Sequence, residues 1–223
     1  MRLRDAVGLP VAWQRRLTWL LELWLVGLFF VGLYGGNVGV VVNSGVALSV
    51  TQIPPLLERD FEVPMDPALT LWITAAVFLH VLGTVGLPGS RLSFYQSVWW
   101  WDHLTHALSS SVVAAAGYAT ARAFDEHSDG VDLPPRFTFV FLLLFVVAFG
   151  VLWEVIEFTV SGAATALGSG SIITQYGLED TMLDLIFDTV GAVVVAVWGA
   201  AHLTDVVGAI GAYLERRESP RGD

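Results

Sequence analysis

The chain has 223 residues, 55% of them hydrophobic and 14% charged, with a formal net charge of −10 and no cysteine. A charged fraction so far below the ~25% of ordinary domains excludes a water-solvated globule. The missing cysteines exclude disulfides and thiolate metal sites, and the acidic balance argues against a nucleic-acid partner.

The expected fold is all-α: one polytopic membrane helix bundle over residues 1–223, with about six transmembrane helices. The first span covers 17–34. Arg2, Arg4, Arg15 and Arg16 precede it as in a signal peptide, but the run is long and lacks a small-x-small cleavage site, so it reads as a retained helix. The second, 38–57, is interrupted by Asn43, Gln52 and the pair Pro54-Pro55, which is expected to kink or end it. The third, 68–87, carries His80. The fourth, 100–123, opens on Trp99, Trp100 and Trp101, an expected interfacial aromatic belt, and carries Asp102, His103 and His106. The fifth, 137–160, carries Glu154 and Glu157. The sixth, 181–203, follows Asp180 and carries Asp184 and Asp188. Stretches 58–67 and 125–135 read as polar loops. Stretch 162–180 reads as the longest connection, with a Gly168-Ser169-Gly170-Ser171 patch.

Six spans put both termini on one side. With that side cytoplasmic, every Arg falls inside except Arg91, a strong positive-inside bias. The expected location is the plasma (inner) membrane, multi-pass, with both termini in the cytoplasm and the lipid bilayer as the first partner.

Ionisable groups inside apolar spans are costly, about 2.5–3.5 kcal/mol each at the helix centre, and mark functional positions. His80, His106, Glu154 and Asp188 each lie about six or seven residues from the outer end of their span, so at ~1.5 Å per residue they share a level about 10 Å below the outer surface. Asp102 and His106 share a face at i, i+4. Glu154 and Glu157 do so at i, i+3, and Asp180, Asp184 and Asp188 form a stripe. Small residues on the fourth and sixth helices would let these two approach closely.

Five carboxylates meeting two or three imidazoles cannot all ionise in a low-dielectric site. Either they retain protons or a cation neutralises them. Such a donor set suits Mg²⁺, Mn²⁺, Fe²⁺ or Zn²⁺, and the spacings are those by which bundle helices present metal ligands. The expected ligands are Asp102, His106, Glu154, Glu157, Asp184 and Asp188, with His80, His103 and Asp180 as further polar-site residues. No organic cofactor is implied. Simpler roles compete: Asp102 and Asp180 suit helix N-termini, His80 suits a hydrogen-bonded core position, and His103 suits the interface.

Three blocks carry a family resemblance: His80-Val-Leu-Gly-Thr followed by Trp100-Trp-Asp-His-Leu-Thr-His106, then Trp153-Glu-Val-Ile-Glu-Phe158, then Leu178-Glu-Asp-Thr-Met-Leu-Asp-Leu-Ile-Phe-Asp-Thr-Val-Gly191. From His80 to Gly191 the chain resembles the YjdF-like family of small polytopic inner-membrane proteins. That family usually has Tyr-Asp-x3-His in the first block; here Trp101 replaces the aromatic, while Asp102 and His106 match. The resemblance implies a shared site and supplies no reaction.

Three functions fit. The first is a metal-dependent membrane enzyme acting on a lipid or lipid-linked small molecule, although G-x-S-x-G, H-E-x-x-H and P-loop signatures are absent. The second is a proton- or cation-coupled transporter or channel, disfavoured because the ionisable groups crowd one half of the membrane; six spans would also need an oligomer for alternating access. The third is a non-catalytic scaffold with a structural metal.

Overall fold

The computed structural model describes residues 8–86, 92–128, 130–166 and 177–218. Arg2, Arg4, Arg91, Arg221 and the Gly168-Ser169-Gly170-Ser171 patch lie outside the described residues. Among those described the chain is helical, with one isolated β-bridge between Gly86 and Ser93.

Helix α1 spans Val11–Gly35 and closes on Gly36 in the left-handed region, φ 63°. Its pattern is inverted relative to a soluble helix: Gln14 and Thr18 are buried, while Trp19, Leu23, Trp24 and Phe30 are exposed. That is the arrangement expected where the surroundings are lipid. Helix α2, Val38–Val50, is capped by Asn37, whose side chain accepts from the Val40 amide at 3.1 Å. After a break at Thr51 and Gln52 the chain resumes as α3, Ile53–Phe61. Pro54 and Pro55 occupy its first turn, where no donor N–H is needed. The interruption expected at the prolines falls at Thr51 and Gln52, just before them, and the prolines open the next helical segment, so that 58–61 is helix, not loop.

Helix α4, Pro67–Thr84, starts at Asp66, which accepts from the Ala68 amide at 2.9 Å. A single turn, α5 (Phe94–Ser97), is held by a Ser93/Gln96 capping box. Three long helices follow: α6 (Trp101–His127), α7 (Pro135–Ala166) and α8 (Leu178–His202). They run past the expected ends, so the 162–180 connection is shorter than its sequence suggested and 125–127 belongs to α6. Helix α9, Thr204–Glu218, was not foreseen; its Val207, Ile210 and Leu214 sit at helical spacing against Ala119 and Ala123 of α6.

Five segments are long and apolar enough to cross a membrane: α1, α2 with α3, α4, α7, and 178–199 of α8. The sixth expected span, α6, has the length, ~40 Å for its 27 residues against a ~30 Å hydrocarbon core, but not the hydropathy. The reason is its place. It lies at the centre of the bundle, packed by α4, α7, α8 and α9. Its buried Ser110, Ser111, Ala114, Ala115 and Gly117 face protein, so lipid imposes no hydropathy on them. The core joins Ala114, Ala115 and Tyr118 of α6 to Leu142 and Val146 of α7 and Ala192 and Val195 of α8. A second cluster ties Leu25, Ala47 and Val81 of α1, α2 and α4.

At one end of the bundle α9 meets α3, with Arg216 3.3 Å from Glu62 and the Phe61 and Tyr213 rings 5.9 Å apart. The ionisable cluster lies toward the other end.

Candidate metal centre

The closest approach of α6 and α8 builds the centre. A Cβ on Gly191 would run into the Ala107 carbonyl, the Ser110 hydroxyl and the Ser111 amide. Only a hydrogen side chain lets the two backbones meet there. The helices run parallel, so Asp188, one turn before Gly191, falls beside His106, and Asp184, a turn further on, falls beside both His106 and Asp102.

His106 is the hub. Its Nδ1 lies 3.2 Å from Asp188 Oδ1. Its Nε2 lies 3.7 Å from Asp102 Oδ1 and 3.8 Å from Asp184 Oδ2. One donor atom from each of Asp102, His106 and Asp184 lies within 4.8 Å of the other two. Two ligands each ~2.1 Å from one ion lie about 3–4 Å apart, so these separations suit a shared ion. Asp184 is 1% exposed, and its Oδ1 has no hydrogen-bond partner. A buried carboxylate oxygen left without a donor is costly.

Glu154 and Glu157 are turned inward on α7 while Val151, Leu152, Val155 and Phe158 face out. Glu154 Oε2 accepts from the Thr181 hydroxyl at 2.7 Å, one turn before Asp184. Glu157 Oε1 accepts from Trp153 Nε1–H at 3.0 Å. Gly150, a turn before Glu154, lies where a Cβ would strike Asp188 Oδ2. The acidic pair thus borders the His106 cluster, with each residue holding its own donor.

Asp102 stands in the first turn of α6, but Trp100 is the N-cap residue and makes no side-chain cap. Asp180 stands in the first turn of α8. His103 stacks on Phe187 with centroids 4.4 Å apart, and its buried Nδ1 has no partner. Trp101 departs from the expected aromatic belt: Trp99 and Trp100 are exposed, whereas Trp101 is buried and donates its Nε1–H to the Leu79 carbonyl at 3.1 Å, tying α6 to α4.

His80 has both ring nitrogens engaged. Asn43 Nδ2 donates to the Gly39 carbonyl at 2.8 Å, which turns Asn43 Oδ1 to His80 Nε2 at 3.3 Å. An oxygen there makes Nε2 the donor, so Nδ1 accepts from the Tyr95 hydroxyl at 2.9 Å. Thr105 Oγ1 lies 3.4 Å from the same hydroxyl. Sequence reasoning missed Tyr95 and Thr181. Thr181 shares a face with Asp184 and Asp188 and was legible from spacing; Tyr95, in a connection, carried no signal.

A cavity of about 410 Å³ adjoins the centre between α2, α4, α6 and α7. Asn43, His80, His106 and Asp188 line one end of it.

The architecture and this cluster define a class: a multi-helix integral membrane protein with a buried Asp/His group between two parallel helices. Residues 16–205 match the family described as "Predicted membrane protein (DUF2238)", and the chain belongs to that family. This agrees with the resemblance to YjdF-like membrane proteins. An uncharacterized protein of Thermotoga maritima is 35% identical over 143 residues, covering 64% of this chain and 67% of that one. No solved structure matches the chain.

Proposed function

We propose that the protein is a divalent-metal-dependent membrane enzyme acting on a lipid or lipid-linked substrate, with Asp102, His106 and Asp184 as the metal ligands. The observation that carries this is the buried Asp184 carboxylate, whose Oδ2 lies 3.8 Å from His106 Nε2 beside Asp102 while its Oδ1 has no hydrogen-bond partner. In this reading Asp188 accepts the His106 Nδ1–H and holds the Nε2 lone pair toward the two aspartates, the role carboxylates commonly play behind metal-bound histidine. Glu154 and Glu157 stand ready beside the cluster as proton acceptors or additional ligands. Thr181 and Trp153 fix their orientation. A bound Mg²⁺, Mn²⁺, Fe²⁺ or Zn²⁺ would polarise a phosphoryl or carbonyl oxygen or activate water there.

The transporter reading is weaker, because the cavity wall beyond His106 and Asp188 is apolar: Val46, Val50, Ile73 and Val113 line it. A hydrated ion path needs polar groups along its length. We place both termini in the cytoplasm and the centre in the outer half of the bilayer, on the distribution of Arg. The deciding experiment is metal analysis of detergent-purified protein. One equivalent of divalent metal, lost in His106→Ala and in Asp184→Ala, is expected. Metal-free protein that binds none of the four ions on titration overturns the proposal.

A further inference from the structure

The cavity beside the metal centre changes character along every wall in the same direction. On α2 the lining runs from Asn43 to Val46 and Val50, continued by Ile53 at the start of α3. On α4 it runs from His80 to Val77, Ala76 and Ile73. On α6 it passes from Thr105 and His106 through Ser109 and Ser110 to Val112 and Val113, and on α7 from Trp153 through Phe149 to Val146. Four helices therefore agree on a polar end at His106 and Asp188 and an apolar end about 10–15 Å away, from seven to ten residues of helix rise. At about 410 Å³ the space is within the ~300–1,000 Å³ of small-molecule sites.

The cavity also has a side door. Among the described residues its α2 and α7 walls make at most a marginal approach to each other. The rims of that gap are Val46, Ile53 and Phe149, all exposed on the outer face of the bundle, Val46 by 57%. In a chain of apolar helices with outward-facing Trp, Leu and Phe, hydrocarbon is what lies against that face. A ligand entering there meets mostly apolar side chains, with Ser109 and Ser110 on the α6 wall, before it reaches His80, His106 and Asp188.

We infer that this cavity holds a single hydrocarbon chain of a membrane lipid, admitted between α2 and α7, with the lipid's polar end directed to His106 and Asp188. The inference deepens the enzyme reading and rests on it for the role of the polar end. The chain-binding site itself stands on the cavity alone. Its volume of about 410 Å³ limits how much of the chain fits, so the site selects on chain length and not only on head group.

The test uses full-length protein in liposomes containing a phospholipid with a diazirine near the end of one saturated chain. After photolysis, adducts are mapped by mass spectrometry. Val77 and Val113 line the cavity and are only partly exposed, so adducts at these two residues report the cavity. They are expected in the wild type, and Ala76→Phe and Val113→Phe, which fill the space, should cut them about tenfold. Adducts confined to outward positions such as Val151, Leu152 and Phe158 in the wild type overturn the inference. Mn²⁺ binding is measured on the same samples. Internal adducts without Mn²⁺ binding overturn the metal reading and leave the chain site standing; Mn²⁺ binding without internal adducts does the reverse.

Discussion

Asp188 Oδ1 approaches His106 Nδ1 at 3.2 Å, and this contact decides which nitrogen of the imidazole is left to the rest of the site. With an ion bound, Nδ1–H held by Asp188 would leave the Nε2 lone pair facing the space between Asp102 and Asp184. Asp188→Asn should therefore weaken divalent-ion binding about 10–100-fold without abolishing it, whereas His106→Ala should abolish it. Calorimetric titration with Mn²⁺ separates the two. The melting temperature of metal-free Asp188→Asn should rise, because one of several crowded carboxylates loses its charge. Equal, full loss of binding in both variants would place Asp188 among the direct ligands instead.

Acid should weaken metal binding. Carboxylates and imidazole must shed protons to coordinate, so protons compete with the ion. Affinity measured across a pH series should fall as pH drops, and binding should release protons into buffers of differing ionisation heat. In Asp184→Asn one competing site is gone, and the pH dependence should be shallower. A pH-independent affinity would contradict ligation by these residues.

The Thr181 hydroxyl is the donor that Glu154 Oε2 holds at 2.7 Å. Thr181→Val removes it and leaves an oxygen of Glu154, a residue only 6% exposed, short of a partner, at a cost of about 1–3 kcal/mol. Thr181→Ser keeps the hydroxyl and should be close to neutral. Thermal unfolding in detergent distinguishes them; equal destabilisation by both would mean that packing of the threonine methyl matters more than the bond.

Gly191→Ala should be among the most damaging small substitutions. The new methyl would meet the Ala107 carbonyl and the Ser111 amide, backbone atoms that cannot rotate away. Forcing α6 and α8 apart should cost about 1–3 kcal/mol and weaken metal binding, since His106 and Asp184 are on opposite sides of that contact. Gly27→Ala is the control: it faces open space on α1 and should be neutral or stabilising by up to ~1 kcal/mol. Unchanged Mn²⁺ affinity in a destabilised Gly191→Ala would separate the packing from the site.

Reporter fusions at the C-terminus and within 125–135 should both report the cytoplasmic side. Arg59, Arg122, Arg136 and Arg216 fall at that end by the positive-inside bias, and the Arg216–Glu62 pair brings α9 beside the end of α3. A periplasmic signal at either fusion would invert the orientation and move the centre to the inner half of the membrane.

The membrane class was legible in the chain because lipid punishes polar exposure so heavily. Long apolar runs could be only spans, and the carboxylates and histidines inside them could only turn inward. The common depth of His80, His106, Glu154 and Asp188 followed from counting residues along rigid helices. Rotation about the helix axes and the pairing of helices were not legible. Spacing put Asp188 in the same ligand set as Asp184, and only the parallel register of α6 and α8, permitted by Gly191, put Asp188 at His106 Nδ1 and Asp184, with Asp102, at Nε2. The sequence counted α6 as a span like the others, and only the packing shows that its neighbours are mainly helices, which explains its low hydropathy. Asn43 and Tyr95, far apart in sequence from His80, enclose it only after α2, α4 and the turn at 94–97 have packed. The cavity between α2, α4, α6 and α7 has no trace in the sequence, because a cavity is set by how separate helices pack.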